Sequence, residues 1–157
     1  MEPIECLVQN LYLKDTKAAY HALKQLIEES EKTDAIYSYF DQFAAMINDS
    51  NSYIRTRGLS LIAANAKWDA ENKIDAVLDS YLSHITDEKP ITARQCIKLL
   101  PTIAAYKPHL KDAIILGLET ADLSRYVYSD SMLPLIIKDI SYSLTAIHAL
   151  NEKKKHN

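Results

Sequence analysis

The stretch Asp49-Ser50-Asn51-Ser52-Tyr53-Ile54-Arg55-Thr56-Arg57-Gly58-Leu59-Ser60-Leu61-Ile62 places a polar turn ahead of an apolar helical face, then sets two arginines and a glycine within that helix. Asp, Ser and Asn before an apolar-periodic run read as a helix start, because their side-chain oxygens accept from backbone N–H groups that the first turn leaves unpaired. Ile54, Gly58, Leu61 and Ile62 then recur on one side at helical spacing. A glycine inside a helix costs about 1 kcal/mol relative to alanine. Its presence predicts that a neighbouring helix packs closely at Gly58.

Outward from this stretch the same alternation of turn and helix repeats. The spacing predicts eight helices, over about Ile4 to Leu13, Thr16 to Ser30, Asp34 to Asn48, Ser52 to Lys67, Glu71 to Ile85, Pro90 to Tyr106, Pro108 to Thr120 and Ser131 to Leu150. Inward stripes include Ile74, Val77, Leu78, Tyr81, Leu82 and Ile85 on the fifth helix. On the eighth they are Leu135, Ile136, Ile140, Leu144 and Ile147. Pro90 suits a first turn, whereas Pro101 inside the sixth helix lacks the N–H of a helical hydrogen bond and predicts a kink. The turn acids Asp15, Asp49, Asp87 and Asp122 stand 34, 38 and 35 residues apart. A period of that size marks stacked units, each too small to bury its apolar face alone. The expected fold is all-α, about four antiparallel helix pairs in one domain over 1–150, followed by a flexible basic tail at 151–157.

Composition narrows the function classes. Among 157 residues there are two glycines, Gly58 and Gly117, so phosphate-cradling loops and dinucleotide folds have no backbone to build on. The formal net charge of −3 argues against generic binding to nucleic acid or anionic membrane. Cys6 and Cys96 have neither disulfide density nor metal-ligand spacing, and no apolar run approaches the ~20 residues of a membrane span. A cytoplasmic protein is expected.

On Asp49, Ile54, Arg55 and Gly58 the chain resembles a HEAT or armadillo-type repeat. Asp87, Ile91, Ala93 and Arg94 fit the same pattern with a small slip in register, while Lys138 stands where the last unit would carry an arginine. The likeness extends to small bacterial HEAT-like proteins. It implies a short right-handed α-α superhelix whose second helices line an inner, concave face. The arginines Arg57 and Arg94 are then expected to form a ladder to turn acids such as Asp49 and Asp87.

Three candidate surfaces follow. The first is a polar concave stripe with Arg55, Arg57, Asn65, Arg94, Gln95, Lys98, Lys138 and Asp139. The second is the long connection Ala121 to Asp130, where Arg125, Tyr126 and Tyr128 suit protein contacts. The third is Trp68 with Asp69, either a stacking surface or a packed anchor. Catalytic constellations are poor. The five histidines lack ligand spacing, Ser83, His84 and Asp87 read as a chance cluster, and Cys96 reads as a core thiol. No catalytic, metal or cofactor residues are expected. The leading expectation is a non-enzymatic protein- or peptide-binding scaffold, monomeric or weakly dimeric. The alternative is a nucleic-acid binder or HEAT-like alkylated-DNA glycosylase using Trp68, Asp69 and Arg57 or Arg94. A helper in cofactor insertion ranks below both.

Overall fold

The computed structural model describes residues 2–156, with side chains through Leu150. The basic tail expected at 151–157 lies outside the described side chains. Among the described residues the regular structure is entirely helical. It comprises α1 (Ile4–Asn10), α2 (Thr16–Lys32), α3 (Phe40–Met46), α4 (Ser52–Ala64), α5 (Lys73–Ser83), α6 (Pro90–Tyr106), α7 (Lys111–Glu119) and α8 (Met132–His156). Among the described residues no helix is long and apolar enough to cross a membrane.

Several expected helices split at one end into a short 3₁₀ segment. Ala35–Tyr39 precedes α3, Ala66–Trp68 follows α4, His84–Thr86 follows α5 and Pro108–Leu110 precedes α7. Such tightening lets the last backbone groups of a helix find partners as the chain turns. Asp15 caps α2 as expected, accepting from the amides of Lys17 and Ala18 at 3.0 and 3.3 Å. At α4 the cap is Asn51, which accepts from Tyr53 and Ile54.

The chain divides into two compact units, Met1–Ile74 and Asp75–Asn157. In the first, α1 packs on α2, α3 on α4, and α2 on α4. Its core is built from Leu7, Val8, Leu11, Leu26, Ile36, Phe40, Phe43, Met46, Leu59 and Ile62. In the second unit α7 packs on α8 and α6 lies along α8, around Tyr81, Cys96, Ile97, Leu100, Ile103, Ile114, Ile136 and Ile147. Leu135, expected inward, is 38% exposed, because the buried stripe of α8 is carried by Ile136, Asp139, Ser143 and Ile147.

The four turn acids share one local device. Asp15, Asp49, Asp87 and Asp122 each accept the backbone N–H two residues on, at 2.8 to 3.0 Å. A short carboxylate bonding its own backbone in this way closes a turn without a backbone carbonyl. The bond to the Ser124 amide holds the Asp122 carboxyl below the usual carboxylate range.

Candidate binding face

The opening stretch folds into α4 with Gly58 against α3. A Cβ at Gly58 would stand 2.9 Å from the Met46 Cβ and 2.9 Å from the Phe43 carbonyl oxygen, closer than carbon atoms pack. The two arginines beside it are buried, each 6% exposed. The ladder expected of Arg57 and Arg94 is replaced by other bonds, Arg57 to the Leu11 carbonyl and Arg94 to Asp139, rather than to Asp49 and Asp87. Arg55 donates to the carbonyls of Asp49 and Ser50, both at 3.0 Å, closing its own turn. Arg57 donates to the Leu11 carbonyl at 2.8 Å and lies over the Tyr53 ring at 5.8 Å. The turn acids already hold backbone amides, whereas Leu11 offers a carbonyl at the negative end of α1, which favours a cation. Burial lowers the Arg57 pKa from its usual value.

Five further candidates, Trp68, Arg125, Tyr126, Asn65 and Asp69, also hold contacts within the fold. The Trp68 indole N–H donates to the Ser30 carbonyl at 2.6 Å, and the Lys67 ammonium to the Glu31 carbonyl at 2.8 Å. In the second unit Tyr126 donates its hydroxyl to the Asp87 carbonyl, and Arg125 reaches the Thr86 carbonyl at 2.8 Å. Each pair joins a cation to an aromatic donor, and each docks the connection after one helix onto neighbouring carbonyls 36 to 39 residues upstream. Asn65 is fully buried and donates to the Ser30 hydroxyl and the Leu61 carbonyl. Asp69 accepts from the Tyr37 hydroxyl at 2.5 Å and from the amides of Lys73 and Ile74. The connection Ala121 to Asp130 is therefore pinned by Arg125 and Tyr126, while Tyr128 stays 95% exposed.

What remains lies on α6 and α8. Arg94 Nε donates to Asp139 at 2.6 Å, and the Ser143 hydroxyl donates to the Ile97 carbonyl at 2.8 Å. The two pairings advance together, so α6 and α8 run parallel. The second has a specific cause. Pro101 has no N–H for the carbonyl four residues back, which is that of Ile97. Ser143 supplies the missing donor, and α6 continues through the proline from Pro90 to Tyr106.

Rotating from this contact line by the roughly 100° per residue of a helix places Ile91, Gln95 and Lys98 to one side on α6. It places Leu135, Lys138 and Tyr142 to the opposite-handed side on α8, which for parallel neighbours is the same face. All six are exposed. Lys98 makes no hydrogen bond, ion pair or ring contact among the described residues, and Lys138 lies over the Tyr142 ring at 5.7 Å. Sequence reasoning named Gln95, Lys98 and Lys138, and the structure brings them together. It missed Leu135, assigned inward, and also Ile91 and Tyr142, whose signal was the position beside an exposed lysine on each helix.

His84 Nδ1 and Asp87 Oδ1 stand 2.8 Å apart, a pairing the sequence reading set aside as chance. The short 3₁₀ turn brings residues three apart onto one side. His84 Nε2 is buried and meets no partner, while the Ser83 hydroxyl turns away to the Ser80 carbonyl. Ser83 therefore does not complete that pair. Burial pushes the Cys96 thiol up, and its sulfur donates to the Tyr81 carbonyl. No group of three metal-ligating side chains occurs among the described residues.

No protein-family model and no curated protein matches the chain. Among solved structures it is similar to a crystal structure of an engineered protein from the Northeast Structural Genomics Consortium, with a TM-score of 0.54 at 16% identity. The match covers 96% of this chain and 69% of that one. At that identity the likeness shows the all-helical fold alone.

Proposed function

We propose that the chain is a non-enzymatic protein-binding module built as a short HEAT-like solenoid, with second helices lining its working face. Support for the repeat comes from three recurrences: the turn acid that accepts the amide two residues on, the cation–aromatic pair that docks one connection onto an earlier one, and the side-by-side packing of α2 with α4 and of α6 with α8. The observation that carries the binding assignment is the α6–α8 face. It presents two lysines, a tyrosine and two large aliphatic side chains to solvent, while Arg55, Arg57, Asn65, Trp68 and Tyr126 hold buried or half-buried structural contacts. Aromatic and aliphatic area ringed by polar groups is the composition of an interface centre.

The glycosylase reading needs Trp68, Asp69 and Arg57 or Arg94 free to meet DNA. Their bonds to Ser30, Tyr37, Leu11 and Asp139 give them other work. Panning a displayed peptide library against the immobilised protein tests the reading. Enriched peptides should perturb backbone amides of α6 and α8 in NMR titration. Enrichment of none, or perturbation confined to other helices, contradicts it.

A further inference from the structure

We infer that the occupant of the α6–α8 face is an acidic, partly apolar segment of another protein; the inference rests on the binding-module reading and names the partner's chemistry. Charge distribution carries it. The chain as a whole has a net charge of −3, yet α6 contains no carboxylate at all. On α8 the one carboxylate among the described side chains is Asp139, held by Arg94 through both its oxygens at 2.6 and 3.4 Å. That pair cancels, and the bond to Asp139 raises the Arg94 pKa, so the guanidinium stays charged. Glu88 and Asp130 stand ahead of the two helices rather than on them. The ionic character of the face is therefore set by Lys98 and Lys138.

The spacing of the two lysines adds a geometric requirement. Ser143 is level with Ile97, so Lys98 lies further along the helix direction than Lys138 by roughly six residues, or about 9 Å at 1.5 Å per residue. With neighbouring helices packing about 9 Å apart, the two attachment points are on the order of 13 Å from each other. Carboxylates about seven residues apart on a partner helix span a similar length once lysine reach is included. Between the lysines sits Tyr142, 65% exposed, with Leu135 and Ile91 (69% exposed) towards one end. The matching segment carries two acids, with apolar side chains between them opposite Tyr142 and, beyond the acid that meets Lys138, opposite Leu135 and Ile91.

The test uses the full chain and three labelled probes in fluorescence anisotropy: an alanine-based helical peptide with glutamates about seven residues apart and Leu and Phe between, its Glu→Gln analogue, and a single-stranded oligothymidylate. The acidic peptide should bind, weaken steeply with salt, and lose about tenfold or more in affinity to Lys98→Glu with Lys138→Glu. The Gln analogue should bind at least about tenfold less well. Equal binding of both peptides at amides of α6 and α8 overturns the acidic assignment while leaving the binding module standing. Binding of the oligonucleotide alone, abolished by the same lysine reversals, overturns both. Absence of any binding by the three probes overturns the acidic assignment, and the library panning then decides the module separately. The double variant's circular dichroism and urea midpoint, expected unchanged, separate lost contact from lost fold.

Discussion

Gly58 and Gly117 are both helical, and their surroundings give opposite predictions. At Gly58 a Cβ would meet the Met46 Cβ and the Phe43 backbone oxygen at 2.9 Å, and neither is a flexible chain end. Gly58→Ala is expected to destabilise by about 1–3 kcal/mol through overpacking, which exceeds the ~1 kcal/mol helix-propensity gain. At Gly117 the nearest atoms, the methyls of Ile85 and Leu82, are 3.5 Å away in ordinary contact. Gly117→Ala is expected to stabilise by up to about 1 kcal/mol. Urea unfolding of the two variants checks the contrast. The constraint at Gly58 was legible because a glycine within an apolar helical stripe needs a reason. The target of Arg57 was not. It donates to a main-chain carbonyl 46 residues away, and a carbonyl has no residue identity to read.

At the scale of elements, Pro101 was legible as a disturbance of α6, but its compensation was not. Ser143 completes the Ile97 carbonyl from another helix, and nothing in the local sequence of α8 marks that serine apart from Ser141. Ser143→Ala should cost about 1–2 kcal/mol, because it leaves a buried acceptor unpaired, whereas Ser141→Ala, at an exposed position, should be near neutral. The cation–aromatic clamps belong to the same scale. Tyr126→Phe keeps the ring and removes the donor to Asp87, so a loss of about 1–3 kcal/mol is expected in urea unfolding, together with faster amide exchange over the connection Ala121 to Asp130. The helices themselves were legible from periodicity, and the turn acids from their spacing. The 3₁₀ ends were not, since they depend on which carbonyls the following chain reaches.

Across the molecule, burial acts on a set of acids that are neutral when protonated. Cys96 and Tyr81 are held above their usual values by desolvation, as is Tyr37 beside Asp69, and Tyr126 is pushed up to about 12. A folded-state pKa above the unfolded value contributes stability that is fully present below the unfolded pKa and lost as pH rises through the folded one. Stability is therefore expected to hold up to about pH 9, the ordinary range of a thiol, and to fall as pH climbs through 10 to 12. Tyr126→Phe should flatten the upper part of that fall, which alkaline titration of the urea midpoint measures. The all-helical class was legible from two glycines and the repeat spacing. The candidate face was only half legible, because amphipathic spacing shows which side of a helix is polar but not which polar side chains the fold has already engaged.

Arginines and aromatics thus hold the turns, while Lys98 and Lys138 stand exposed on α6 and α8. Urea unfolding of Arg57→Met beside Lys98→Ala and Lys138→Ala tests it most directly. Arg57→Met should lose about 1–3 kcal/mol, from the Leu11 carbonyl left without its donor, and each lysine variant should change by no more than about 0.5 kcal/mol. A neutral Arg57→Met, or a lysine variant as damaging as the arginine one, would contradict it.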